Sequence, residues 1–282
     1  MQPAALLALA VLAWWLPPLA GRWPLWPGLL VLASLAGLAS GAMDSIGLGV
    51  TAALGGLVFV TRHAPQPGLR ALALTGAAVL ALAMALHVVP GFHAELVAHD
   101  LRLSADAAPF SFCWRLDTGI AGLLLIAAVA TPARGADWRE LGAVLLRGAP
   151  VIVGLVVAAS LAAGYVRWAP KWPELAPVFL IANLCFTCVA EEAFFRGLIQ
   201  ARLQAAAAGR AGGQWAAIGV AALLFGLAHL GGGALYAAIA TLAGVGYGWA
   251  FARSGRIEAA ILMHFAVNAV HFIGFTYPRL AS

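Results

Sequence analysis

Residues 175–199 read LAPVFLIANLCFTCVAEEAFFRGLI, an apolar run interrupted by Glu191, Glu192 and Arg196. The run is long enough to cross a bilayer as a helix, since about 20 apolar residues span the hydrocarbon core. An ionised side chain at the centre of that core costs roughly 2.5–3.5 kcal/mol on insertion scales. Three charged groups so close together are therefore hard to account for as filler. They mark a polar site built inside a membrane.

Composition supports that placement. The chain has 282 residues, 63% hydrophobic and 10% charged, whereas soluble domains are about 25% charged. No soluble domain of useful size fits between the apolar windows, and only residues 91–116 form a modest polar segment. The net charge of +5 comes from arginine and a single lysine, Lys171. Most arginines sit singly at the ends of apolar runs, where they anchor helices and set orientation. A nucleic-acid partner is therefore not expected; the lipid bilayer is. The three cysteines, Cys113, Cys185 and Cys188, imply no disulfide framework. Cys185 and Cys188 have CxxC spacing but lie within an apolar helix, which favours small apolar packing over redox or metal chemistry. The N-terminus lacks a basic leader and carries Pro17-Pro18, so it reads as a first membrane helix.

Turn signals divide the chain into candidate helices at about 4–20, 24–42, 45–61, 70–90, 117–132, 141–164, 175–207, 214–230, 233–252 and 257–277. The fold class is all-α, a polytopic membrane protein of about 8–10 transmembrane helices around a bundled catalytic core. Prolines in the first two windows allow them to be re-entrant or kinked. Alternating the sides gathers the larger share of arginines on one face, which the positive-inside rule makes cytoplasmic, with both termini outside. Polar groups at apolar depth concentrate late in the sequence. Residues 1–140 read as an N-terminal transmembrane scaffold, and 141–282 as the helical core with the working region near 175–272. No fixed-period repeat is visible.

Three helices carry the chemistry. Glu192 and Arg196 are four apart and share a face at helical spacing, which suits an ion pair, while Glu191 projects about 100° away. The next helix carries Phe225 and His229. The third carries His264, Asn268 and His271 within one narrow stripe. Glu191 lies about 19 residues before the loop centre near residue 210, and His229 about 18 after it. Antiparallel helices would bring the two to one level, where a carboxylate and an imidazole hold a water and take its proton. The same count leaves the level of His264 open. His271 reads as a helix–helix hydrogen-bonding residue, and His63, His87, His93 and His99 as groups of helix ends or a polar loop. Asp44 has the look of a helix N-cap, and Asp117 of a second one.

The series Glu191-Glu192-x-x-x-Arg196, Phe225-x-x-x-His229 and His264-x-x-x-Asn268 resembles, in order and in flanking residues, the three motifs of the CAAX protease and bacteriocin-processing family (CPBP, or Abi). That family includes the prenyl endoproteases of the Ras-converting type. The resemblance covers about residues 175–272 and implies an intramembrane glutamic endopeptidase with an all-helical fold and no cofactor or metal. It implies Glu191 as general base assisted by His229, His264 and Asn268 as the oxyanion hole, and Glu192 with Arg196 as support of the site. The implied partner is a membrane-associated peptide or protein substrate. A bacterial inner-membrane location, with a role in peptide or protein maturation, is favoured over CAAX processing itself.

Other readings are carried beside it. A zinc protease would use Glu191, His229 and His264 as ligands, residue types zinc accepts, although no HExxH helix is present. A non-catalytic immunity or scaffolding protein would bind a peptide without cutting it. A transporter would keep ionisable groups at mid-membrane too, but would spread them along a path.

Overall fold

The computed structural model describes residues 2–281. Among the described residues, six helices are long and apolar enough to cross a membrane: α3 (Ser45–His63), α4 (Pro67–Ala85), α6 (Asp137–Ala162), α7 (Ala176–Ala206), α9 (Ala234–Ser254) and α10 (Ile257–Gly274). Four shorter apolar helices accompany them: α1 (Pro3–Ala13), α2 (Trp26–Ser40), α5 (Leu116–Val129) and α8 (Gly213–Ala228). The protein is an all-α, multi-pass integral membrane protein. Leu146 on α6 is 81% exposed, and such an apolar outer surface is what lipid solvates at no cost.

The sequence reading located every helix and misplaced some ends. α1 stops at Ala13, well before residue 20, because Pro17-Pro18 offers no N–H to continue the ladder. Residues 91–116 hold a feature missed altogether, a two-stranded sheet of β1 (Glu95–Leu101) and β2 (Phe110–Trp114). Its short strands lack a clean polar–apolar alternation. Asp44 does cap α3, its Oδ1 accepting from the backbone N–H groups of Ile46 and Gly47 at 2.8 and 3.1 Å. Asp117 does not cap α5 as expected. It lies inside the first turn, and its Oδ2 is 2.7 Å from Nδ1 of His87.

α7 is not a uniform α-helix. Residues Asn183–Cys188 and Ala193–Gln200 are π-helical, separated by one α-turn, Val189–Glu192. Such widened turns often occur at functional sites. Counting at 3.6 residues per turn therefore fails across Ala193, although positions four apart stay near one face at either pitch.

The chain forms two compact units, each discontinuous in sequence. Unit 1 comprises Met1–Val97, Cys113–Pro132 and Leu184–Phe194. Its centre is α5, buried continuously along most of its length and packed on α1, α3, α4 and the Val189–Glu192 turn. Gly122 permits the last contact, since a Cβ there would lie 2.9 Å from the Cα of Ala190. Cys185 and Cys188 are buried in this unit and in no disulfide, as expected of small packing residues.

Unit 2 comprises Ala98–Phe112, Ala133–Asn183 and Phe195–Ser282. Its centre is α9, packed on α6, α8 and α10. The sequence Gly244-Val-Gly-Tyr-Gly248 makes this possible, because small residues let helix backbones approach closely. A Cβ at Gly246 would lie 2.4 Å from Ile152 of α6, and one at Gly244 would lie 3.2 Å from Ala222 of α8. At one end, three extended stretches are knit by backbone hydrogen bonds: Ala108 N to Arg279 O, Leu280 N to Tyr165 O and Ala169 N to Gly274 O. Phe110 and Phe112 of β2 pack beside them on Phe179.

Candidate active site

The motif residues divide between the units, so each set is taken by itself. In unit 1, Glu191 and Glu192 sit on the α-turn between the two π-helical stretches of α7. Glu192 is fully buried, whereas Glu191 is partly accessible. The neighbouring carboxylates thus differ in exposure.

In unit 2, the helix end of α8 sets His229. It is the C-cap residue, and its Nδ1 is 2.7 Å from the carbonyl oxygen of Phe225. A carbonyl can only accept, so Nδ1 is the donor of this bond. The Phe225 ring then acts as a hub. Its centroid lies 4.5 Å from the His229 ring and 5.6 Å from the His264 ring, the latter edge-on at 87°. The Arg196 guanidinium carbon sits 4.8 Å from the same centroid and 5.3 Å from that of Tyr247. Tyr247 in turn stacks on His264, with centroids 4.6 Å apart and planes at 15°. Three of the sequence motifs therefore meet on one aromatic side chain, and His264, whose level the spacing left open, belongs to this cluster.

Arg196 is held by more than ring faces. Its Nη2 donates to the Gly244 carbonyl at 2.8 Å, and one turn on, Gln200 Nε2 donates to the Gly248 carbonyl at 2.8 Å. Both side chains are fully buried. The rungs need the two glycines, because a Cβ at Gly248 would lie 2.7 Å from Gln200 Oε1. A desolvated cation over aromatic faces gains about 2 kcal/mol, which offsets part of the cost of burying it.

Asn268 Nδ2 donates to Asn183 Oδ1 at 3.2 Å. That bond pins α10 to the start of the π-helical stretch in α7, and the stacked pair Phe179–Phe272, 4.0 Å apart, repeats the contact one turn away. His271 faces elsewhere: its Nε2 meets the Thr276 carbonyl at 3.2 Å and its ring lies beside Tyr277. It ties down the end of α10, in keeping with its reading as a hydrogen-bonding residue.

Among the described residues, no group of three His, Cys, Asp or Glu side chains is arranged to hold a metal ion. Sequence reasoning also passed over Tyr247, Gln200 and the carbonyls of Gly244 and Gly248. The alternating glycines were the available signal, since they announce a backbone left open to a neighbour's polar side chain.

An arginine and two histidines gathered on one aromatic ring, among helices apolar enough to cross a membrane, make this a polytopic membrane protein with a polar cluster. Residues 172–270, about a third of the chain, match the family described as type II CAAX prenyl endopeptidase Rce1-like. Over that region the chain resembles the CAAX prenyl endopeptidases. No curated protein and no solved structure matches the chain.

Proposed function

We propose that the protein is an intramembrane glutamic endopeptidase that hydrolyses a peptide bond in a membrane-associated peptide or protein. The observation that carries this reading is the meeting of Arg196, His229 and His264 on Phe225. The unequal burial of Glu191 and Glu192 supports it. Glu191 is the general base. It takes a proton from water as the oxygen adds to the scissile carbonyl, with Nε2 of His229 orienting that water. His264 and Asn268 donate hydrogen bonds to the oxyanion as it develops. The proton held by Glu191 then passes to the leaving amine, so neither an acyl-enzyme nor a cofactor is required. Glu192 and Arg196 brace the helix from which Glu191 projects. The preferred setting is the bacterial inner membrane, and the preferred task is maturation of a peptide or protein.

The test is co-expression with small membrane peptides encoded beside the gene, comparing peptide masses under the wild-type protein and Glu191→Gln. A shortened product made by the wild type and lost in the variant is expected, a drop on the order of 10²–10⁴-fold for a missing general base. Equal processing by a well-folded Glu191→Gln protein would end the assignment. Undiminished cleavage after chelation is also expected.

A further inference from the structure

His229 occupies an insecure position for a side chain that must aim at water. It is the C-cap of α8, and the next residues, Leu230-Gly-Gly-Gly233, form a single 3-10 turn. Helix ends fray, and glycine adds backbone freedom. The hydrogen bond to the Phe225 carbonyl fixes one edge of the ring but still allows rotation about that bond. Ring contacts bear on its plane as well.

Tyr236, in the first turn of α9, supplies such a contact. Its ring lies 5.4 Å from the His229 ring, edge-to-face at 73°. Phe225 flanks the imidazole as well, at 4.5 Å, and edge-to-face aromatic pairs favour one geometry over others. Gly232 is moulded to the tyrosine: a Cβ there would lie 2.3 Å from Tyr236 Cδ1. Tyr236 is backed by Tyr165, whose ring stacks on it at 5.8 Å with planes 10° apart. Tyr165 is itself fixed through its backbone, donating to Ser160 O at 2.9 Å and accepting from Leu280 N at 3.0 Å.

We propose that Tyr236 is the positioning residue of His229, and that Tyr165 braces it from the segment following α6. The inference rests on the reading of His229 as the imidazole of a proteolytic site. Neither tyrosine belongs to the three motifs. Ring shape, rather than the hydroxyl, carries the effect, so phenylalanine should substitute at position 236 and leucine should not.

The experiment uses the full-length protein in lipid nanodiscs, with histidine rings isotopically labelled for NMR and His229 assigned by the signal lost in His229→Ala. Tyr236→Leu is expected to displace and broaden the His229 ring signals, while Tyr236→Phe leaves them in place. Tyr165→Leu should displace them in the same direction by less; it keeps α9 intact and decides the matter should Tyr236→Leu not fold. With an internally quenched, farnesylated peptide as the probe, Tyr236→Leu should lower kcat about 10-fold or more with KM unchanged, as misplacement of a reacting group does. Unmoved His229 signals in a folded Tyr236→Leu or Tyr165→Leu protein overturn the proposal. A wild-type protein indistinguishable from Glu191→Gln on every peptide counts instead against the proteolytic reading, and the NMR result still decides the contact.

Discussion

The two glutamates of α7 apart, unit 1 and unit 2 satisfy their polar side chains in different ways. The α5-centred unit keeps a long apolar interior and places its best-formed polar pair, His87 and Asp117, at helix ends, where the imidazole side chain is 37% exposed. The α9-centred unit buries Arg196, Gln200 and His264 far from helix ends and satisfies the first two with backbone carbonyls of a glycine-rich neighbour. Water helps the first arrangement at almost no cost. The second must be built from donors, acceptors and aromatic faces placed in advance, and a membrane protein accepts that expense where chemistry is done. The contrast teaches that a charge buried at mid-helix must be satisfied by its neighbours, while one at a helix end can lean on water.

Breaking the contrast should begin at Arg196. Replacing it with Met removes a charge-assisted hydrogen bond to Gly244 and the contact with two rings. We expect a loss of roughly 3 kcal/mol in stability together with near-complete loss of cleavage, read by thermal melting and by product mass. Arg196→Lys should rescue little, because an ammonium lacks the planar fork. A fully active Arg196→Met protein would leave unit 2 no different in kind from unit 1.

The matching change in unit 1 is Asp117→Asn. It weakens a charge-assisted bond to His87, so melting should fall by about 1–2 kcal/mol equivalent. Cleavage per folded molecule should not change, since the pair belongs to the scaffold. Lost turnover at undiminished stability would mean that the His87–Asp117 pair shares in the chemistry.

The smallest effect is expected at Lys171, in the segment between α6 and α7. Its ammonium donates to the Phe275 carbonyl and, at 3.4 Å, to that of Ala169. Partial burial pulls its pKa down from the usual 10.5 to about 8. Between those values the unfolded chain holds the proton and the folded chain has released it, so stability rises with pH through that window. Below about 8 the cost of burying the charge is present in full. Lys171→Met should flatten the rise without harming melting at neutral pH. Melting curves at several pH values between 7 and 11 would show it.

Much of this was legible in the residues alone. Runs of apolar residues near bilayer length gave the helices, and the improbable carboxylates and histidines gave the candidate site. Both are local matters of solvation cost, which a linear sequence states directly. The missed parts share another origin. The β1–β2 pairing depends on partners distant in sequence, Asp117 found His87 across 30 residues, and Tyr165 reaches Tyr236 from another helix end.

The sequence by itself determined that the chain spans a membrane and keeps Glu191, Glu192, Arg196, His229, His264 and Asn268 at apolar depth. Only the tertiary structure decided that α7 turns π-helical on both sides of the two glutamates, and that Phe225 gathers the arginine and both imidazoles. The physical reason is that transfer free energy is fixed residue by residue. Helical register and side-chain contact arise from packing between helices, where a missing Cβ at Gly244 or Gly248 makes room for a neighbour's side chain.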